Sequence, residues 1–272
     1  MTLLQAILLA VVQGLTEFLP ISSTAHLILV PWLFGWQDPG LTYDVALHAG
    51  TLVAVLGYFF REWTSMLGAL LGLRSLPSPG HDRRLLVLIA LATVPAALAG
   101  YFLESYAESV FRSPALIAAM LMAVALLMWV ADRRASLART AESLTLKDAL
   151  TIGVAQAVAV IPGTSRAGIT IAAGLFRNLT RESAARFSFM LATPVIGGAT
   201  LKKGLELWRG GFPAGISALD FAVGFVVSAV VGYAAIAFLL RYLQVRTLKI
   251  FVAYRLVLGG IILGVELLRS SP

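Results

Sequence analysis

Two polar interruptions in a largely apolar chain hold side chains suited to work on a phosphorylated molecule. The first is Gln13-Gly-Leu-Thr-Glu17-Phe-Leu-Pro20-Ile-Ser22-Ser23-Thr24-Ala-His26. Gln13 and Glu17 are four residues apart and share one helix face. Pro20 has no N–H to donate and stops that helix. Ser22, Ser23 or Thr24 then caps the next one, with His26 in its first turn. The second stretch, Gln156 to Thr170, has the same plan: an apolar helix ends at Pro162-Gly163, Thr164 or Ser165 caps, and Arg166 opens the following helix. Helix starts offer free N–H groups and the positive dipole end to anions. An arginine fork meets two phosphate oxygens at once.

Phosphoryl transfer needs mainly alignment and charge neutralisation, and this inventory supplies both. Arg166 is read as a phosphate clamp, with Ser22, Thr24, Ser165, Thr170 and the Gly163 turn as phosphate contacts. Glu17 is read as a divalent-cation ligand or a base, with Gln13 as a weaker ligand, since Mg²⁺ commonly binds through one or two carboxylates plus substrate phosphates. The nucleophile is His26 or Ser23, with Glu17 orienting or deprotonating it. Plainer readings stand beside these. Glu17 and Arg166 also suit a buried ion pair, the hydroxyls suit caps, and Thr170 suits a bond back to its own helix. Asp44 and His48 share a helix face and read as a cap or gate, and Arg255 as a snorkelling or backbone-paired residue. Glu104, Glu108 and Glu206 read as solvated, and Gly197-Gly198 and Gly259-Gly260 as close helix contacts.

The elements that must position these groups are membrane helices. Of 272 residues 59% are hydrophobic and 13% charged, against about 25% charged in a soluble domain; the mean hydropathy is +0.87. The expected fold is an all-α polytopic membrane protein of two inverted repeats, each a re-entrant helix pair plus three transmembrane helices, forming one integral membrane domain. The first repeat, 1–136, holds a re-entrant pair at 3–36 and spans at about 44–60, 84–103 and 114–131. The second, 137–272, holds a pair at about 148–178 and spans at about 184–201, 219–240 and 248–268. Between the first repeat's spans, residues 74–84 form a polar loop punctuated by Pro77, Pro79 and Gly80. An odd number of spans per repeat inverts the second, and broken helices meeting near the midplane are a common way to build a central site.

The net charge of +7 is read as orientation charge in loops rather than as a nucleic-acid footprint. Arg61, Arg74, Arg83, Arg84, Arg133, Arg134, Arg139, Lys147, Arg177, Arg181, Arg186, Arg241, Arg246 and Lys249 fall on one side, against Arg112, Lys202, Lys203, Arg209 and Arg269 on the other. The basic side is expected to be cytoplasmic, so both termini and the first polar stretch face outward. No Lys or Arg precedes Arg61, so no cleavable signal is expected. Cysteine is absent, which excludes disulfides and thiolate metal sites.

Taken together, Gln13, Glu17, Pro20, Ser22, Ser23, Thr24, His26, Pro162, Gly163, Ser165, Arg166 and Thr170 resemble the two signature motifs of the undecaprenyl-diphosphate phosphatases, the bacitracin-resistance family. The resemblance covers essentially the whole chain. It implies hydrolysis of the C55 lipid diphosphate to the monophosphate at the outer face of the bacterial cytoplasmic membrane. That step recycles the carrier for peptidoglycan and other envelope polymers and removes the target of bacitracin. The resemblance also implies dependence on Mg²⁺ or Ca²⁺. The sequence departs from the family pattern where Gln13 takes the neutral option, Ala25 replaces glycine and Ala167 replaces a second serine. The expected partners are prenyl diphosphate lipids and the bilayer, with no nucleic acid and a homodimer as a possible assembly. Two other classes compete with the phosphatase. One is a transporter or flippase of the lipid monophosphate working by alternating access; the other is a structural brace built on the Glu17–Arg166 pair.

Overall fold

A computed structural model describes residues 1–37, 39–72, 83–108, 110–210 and 216–270. The expected polar loop lies outside these between 73 and 82, which includes Arg74, and so do the side chains of Glu104, Glu108, Arg112 and Arg269. The described residues are helical almost throughout. The α-helices are α1 (Leu3–Phe18), α2 (Ser23–Phe34), α3 (Gly40–Tyr58), α4 (Phe60–Leu70), α5 (Arg83–Glu108), α6 (Pro114–Arg134), α7 (Leu146–Ala157), α8 (Arg166–Phe176), α9 (Arg181–Gly210), α10 (Ala218–Val245) and α11 (Lys249–Ser270). Five of them, α5, α6, α9, α10 and α11, are long and apolar enough to cross a membrane. The chain is thus an all-α multi-pass membrane protein, with its large exposed apolar side chains, among them Leu98, Val226 and Val257, available to lipid.

Local signals account for most of the helix ends. Thr2 and Gln5 form a capping box on α1, Thr145 and Asp148 one on α7, and Ser217 and Asp220 one on α10. α1 stops two residues before Pro20, and α2 ends at Gly35 in the left-handed conformation. The short helices α1, α2 and α8 fall at the expected interruptions. One element departs from expectation. The span anticipated at 44–60 continues past Phe59 as α4, turned by 74°. α4 carries Glu62, which pairs with Arg186 of α9 at 2.7 Å, and the Arg186 guanidinium lies over the Phe59 ring. That cross-helix anchor holds the bend.

The two short pairs pack crosswise. α1 lies against α10 and α3, while α7 lies against α5, and α8 fits between α6 and α9. A large core around Phe18, Phe59, Phe187 and Phe189 joins the first interruption to α9, with Phe18 and Phe189 edge to face at 5.2 Å. Close helix approach falls at other glycines than the Gly197-Gly198 pair. Gly197 makes only an ordinary contact and Gly198 opens onto empty space, whereas Gly259 does pack tightly, against Met122. The tightest approach is at Gly50, where an added Cβ would lie 2.1 Å from Ser228 Oγ and 2.3 Å from the Phe225 carbonyl. Gly50→Ala should therefore push α3 from α10 and cost about 1–3 kcal/mol, read as a lower midpoint of thermal unfolding in detergent. Gly57→Ala, on the same helix with open space around it, is the control and should leave the midpoint in place. Equal midpoints for both variants would refute the tight α3–α10 seam.

Candidate functional site

The two interruptions meet, and both turn by the same backbone device. Ser22 and Ser165 each precede a helix at positive φ, 77° and 66°, a region that side-chain-bearing residues rarely adopt. Each then caps that helix, Ser22 Oγ accepting from Ala25 N–H and Ser165 Oγ from Gly168 N–H. The freed carbonyls around these turns cannot be left bare at membrane depth. Arg255 of α11, fully buried, satisfies them. Its guanidinium donates to the carbonyls of Pro20 at the first break, Gly163 and Thr164 at the second, and Met120 and Leu121 of α6. It is thus backbone-paired rather than snorkelling.

Glu17 is the hub between the breaks. It is 5% exposed, and its Oε1 accepts from Arg166 at 2.9 Å. Its Oε2 accepts from Gln13 Nε2 at 3.1 Å and from the hydroxyl of Ser23. His48 Nε2 lies 3.2 Å from the same oxygen. His48 Nδ1 sits 2.6 Å from the Asp44 carbonyl; a carbonyl only accepts, so Nδ1 carries a hydrogen. With an acceptor at each ring nitrogen, the ring is braced to hold a proton beside Glu17. Arg166 also donates to the Ser188 carbonyl, which fixes its guanidinium on the Glu17 side.

A cavity of about 480 Å³ opens beside this hub. Glu17, Ser22, Ser23, Thr24, Ser165 and Arg166 line it, as expected of site residues. Asp44, His48 and Gln156 line it too, and α5 and α9 wall it with Ala96, Ala97, Gly100, Gly198 and Ala199, ending at Lys202 and Lys203. Such a mix of small apolar wall and convergent polar groups suits a ligand with a charged head and an apolar tail.

Four expected site residues sit behind the cavity wall instead. His26 donates from Nδ1 to the Ser22 carbonyl, and its Nε2 accepts from the Tyr254 hydroxyl at 2.7 Å. Both ring nitrogens are therefore engaged away from Glu17, because the turn of α2 at His26 faces α11. Thr170 bonds back to the Arg166 carbonyl and across to Ser188 Oγ, the plainer of its two readings. Gly163 serves through its carbonyl and its φ of 89°, and any Cβ there would strike the Ile117 carbonyl at 2.4 Å. Gln13 reaches the site only through Glu17, its Oε1 buried with no hydrogen-bond partner among the described residues. The imidazole at the hub is His48. Its signal in the sequence is an Asp44/His48 pair one turn apart on an apolar helix, a pattern that reads as a cap or gate.

Among the described residues no three His, Cys, Asp or Glu side chains cluster as a metal site. The fit for a divalent cation is correspondingly lean: the cavity carries the carboxylates of Glu17 and Asp44, while Gln13 Oε1 lies buried behind its wall. That set suits a hard cation taking its remaining oxygens from phosphate.

Removing the Arg255 fork would strand the carbonyls of both breaks together. Arg255→Met should cost at least about 3 kcal/mol, seen as a lowered thermal midpoint in detergent, and Arg255→Lys should recover part of it. An unchanged midpoint for Arg255→Met would mean those carbonyls find other donors.

A family model described as bacitracin resistance protein BacA matches residues 6–261. Curated relatives named undecaprenyl-diphosphatase align over nearly the full length. One from Pelotomaculum thermopropionicum is 47% identical over 95% of this chain and 95% of its own. One from Moorella thermoacetica is 47% identical over 99% of this chain and all of its own. One from Trichlorobacter lovleyi is 48% identical over 98% of this chain and all of its own.

Proposed function

The chain belongs to the BacA bacitracin-resistance family, and on that premise we propose that it is an undecaprenyl-diphosphate phosphatase of the bacterial cytoplasmic membrane. The substrate would be the C55 lipid diphosphate and the products its monophosphate and inorganic phosphate. The observation that carries the site assignment is the Ser23 hydroxyl donating to Glu17 while Arg166 holds the other carboxylate oxygen.

In this reading Ser23 attacks the terminal phosphorus as its proton passes to Glu17, and the P–O bond to the prenyl monophosphate breaks. Glu17 passes that proton to the departing prenyl monophosphate. Water then attacks the phosphoserine, and Glu17 takes a proton from it and returns it to Ser23 Oγ as the P–Oγ bond breaks and phosphate leaves. Arg166 and the two helix starts spread the charge that builds on the phosphoryl oxygens. Ser23 is preferred over His26 because its oxygen already points at a base, while His26 is tied to Tyr254. His48, braced against the Asp44 carbonyl, supplies a second positive neighbour to Glu17 and keeps its carboxylate oriented. A bound Mg²⁺ or Ca²⁺, held by Glu17, would supply further neutralisation of the diphosphate.

The deciding experiment is phosphate release from a C15 or C55 prenyl diphosphate by the purified protein, with Mg²⁺, with Ca²⁺ and with chelator. Release should need the cation. It should fall at least about a hundredfold in Glu17→Ala and Ser23→Ala, and by less in His26→Phe. Loss in His26→Phe equal to that in Ser23→Ala would make His26 the nucleophile. No release by folded protein under any condition would move the reading to lipid transport.

The site is proposed to face outward. The basic residues of the connectors support this, as does a cavity running toward the C-terminal ends of α5 and α9, where Lys202 and Lys203 sit. Because the chain has no cysteine, single substitutions read topology cleanly. In intact cells a membrane-impermeant maleimide should label Lys202→Cys and spare Arg134→Cys. The reverse pattern would invert the proposed orientation.

A further inference from the structure

Gln156 stands apart from the other polar side chains of the cavity. It is the penultimate residue of α7, 2% exposed, and its amide nitrogen and oxygen both lack a hydrogen-bond partner among the described residues. A buried amide with neither end satisfied costs the fold, and native structures rarely keep one without a reason. The groups around it offer none. Its neighbours along the chain, Ala155 and Ala157, are apolar, and α5 presents Thr93, Ala96 and Ala97 to the same cavity, the Thr93 hydroxyl donating to the Ile89 carbonyl of its own helix. The α7 backbone is closed by its own helix and the turn at Val158–Val160. Gln156 lines the cavity with Ser165 and Arg166, on the wall formed by the second interruption, and its amide atoms are covered there, so a ligand would meet them only after the side chain turns.

The wall formed by the first interruption carries Glu17 and Ser23. Resting on the phosphatase reading, a terminal phosphate placed at Ser23 leaves a second phosphate to be met elsewhere in the cavity. Arg166 spans the two walls, since it opens α8 and pairs with Glu17. A neutral amide is suited to the second phosphate: its N–H groups donate to anionic oxygens, and its carbonyl accepts from a phosphate hydroxyl or hydration water.

We propose that Gln156 recognises the inner phosphate of a prenyl diphosphate, the one that departs with the lipid, and so lets the site tell diphosphate from monophosphate. A monophosphate seated at Ser23 would leave the amide as unpaired as it is without ligand. A site built to bond a group rejects an analogue lacking it far more strongly than a site built on apolar contact.

This role makes an unusual joint demand on one variant. Gln156→Leu removes an orphaned amide and keeps the bulk, so the ligand-free protein should melt at the same temperature or higher. A residue kept for folding would do the opposite. The test measures the stabilisation of parent, Gln156→Leu and Gln156→Glu against melting by a non-hydrolysable C15 prenyl methylenediphosphonate and by C15 prenyl monophosphate. The diphosphonate should bind roughly tenfold or more weakly to Gln156→Leu and weaker still to Gln156→Glu, which adds a negative charge. Monophosphate binding should be unchanged in Gln156→Leu. Equal diphosphonate affinity in parent and Gln156→Leu would overturn the assignment, as would a parallel loss of monophosphate affinity or a lowered melting point of the ligand-free variant. The underlying phosphatase reading fails separately, when the parent binds the diphosphonate but releases no phosphate from the diphosphate.

Discussion

Two helix breaks at membrane depth expose backbone carbonyls that lipid cannot solvate, and the buried Arg255 guanidinium that gathers them is the constraint on which the site depends. It takes one carbonyl from the first break, two from the second and two from α6. A guanidinium has five N–H donors in a fixed plane, so it sets the two turns at one distance and one angle. Among the described residues its hydrogen-bond partners are backbone carbonyl dipoles. The two turns it joins share an unusual backbone, with serine at positive φ capping the helix that follows. Strain of that kind persists only where the surroundings over-determine it, and Arg255 is a large part of those surroundings.

With the turns fixed, a single carboxylate becomes the meeting point of both. Glu17 accepts from Arg166 across the break, from Gln13 on its own helix and from Ser23 on the next, and stands beside His48 of α3. Four elements therefore converge on two oxygens. The ion pair that would serve as a brace is the same one that, in the proposed mechanism, aligns the Ser23 hydroxyl for attack. The structural and catalytic readings of Glu17–Arg166 are two descriptions of one geometry, because a carboxylate held rigidly by its donors is also a base held rigidly toward its nucleophile.

The cavity joins this polar hub to a wall of small residues on α5 and α9. Ala96, Ala97, Gly100, Gly198 and Ala199 leave room there. Gly198, which in the sequence looks like a packing residue, is instead open space beside the cavity. A charged head at the breaks and an apolar wall leading from them match an amphiphilic substrate drawn from the bilayer.

Periodicity and composition alone identified the membrane class, the two interruptions and the long spans, since apolar length, proline and cap residues act within a few positions of where they stand. Glu17, Ser23 and Arg166 were legible for the same reason: charge and hydroxyl in an apolar run are conspicuous wherever the chain goes. The bend at Phe59 was not legible, because it is held by an anchor from Glu62 to Arg186, which is distant in sequence. Nor was the exchange of imidazoles. His26 lies in the motif yet faces Tyr254, while His48 lies outside it yet reaches Glu17. Which way a side chain points depends on how one helix is rotated against another, and that rotation is decided by packing across the whole bundle. Arg255 and Gln156 make the same point from opposite sides. Each is a polar residue in a mainly apolar stretch, and among the described residues the assembled fold gives five carbonyl partners to the first and none to the second.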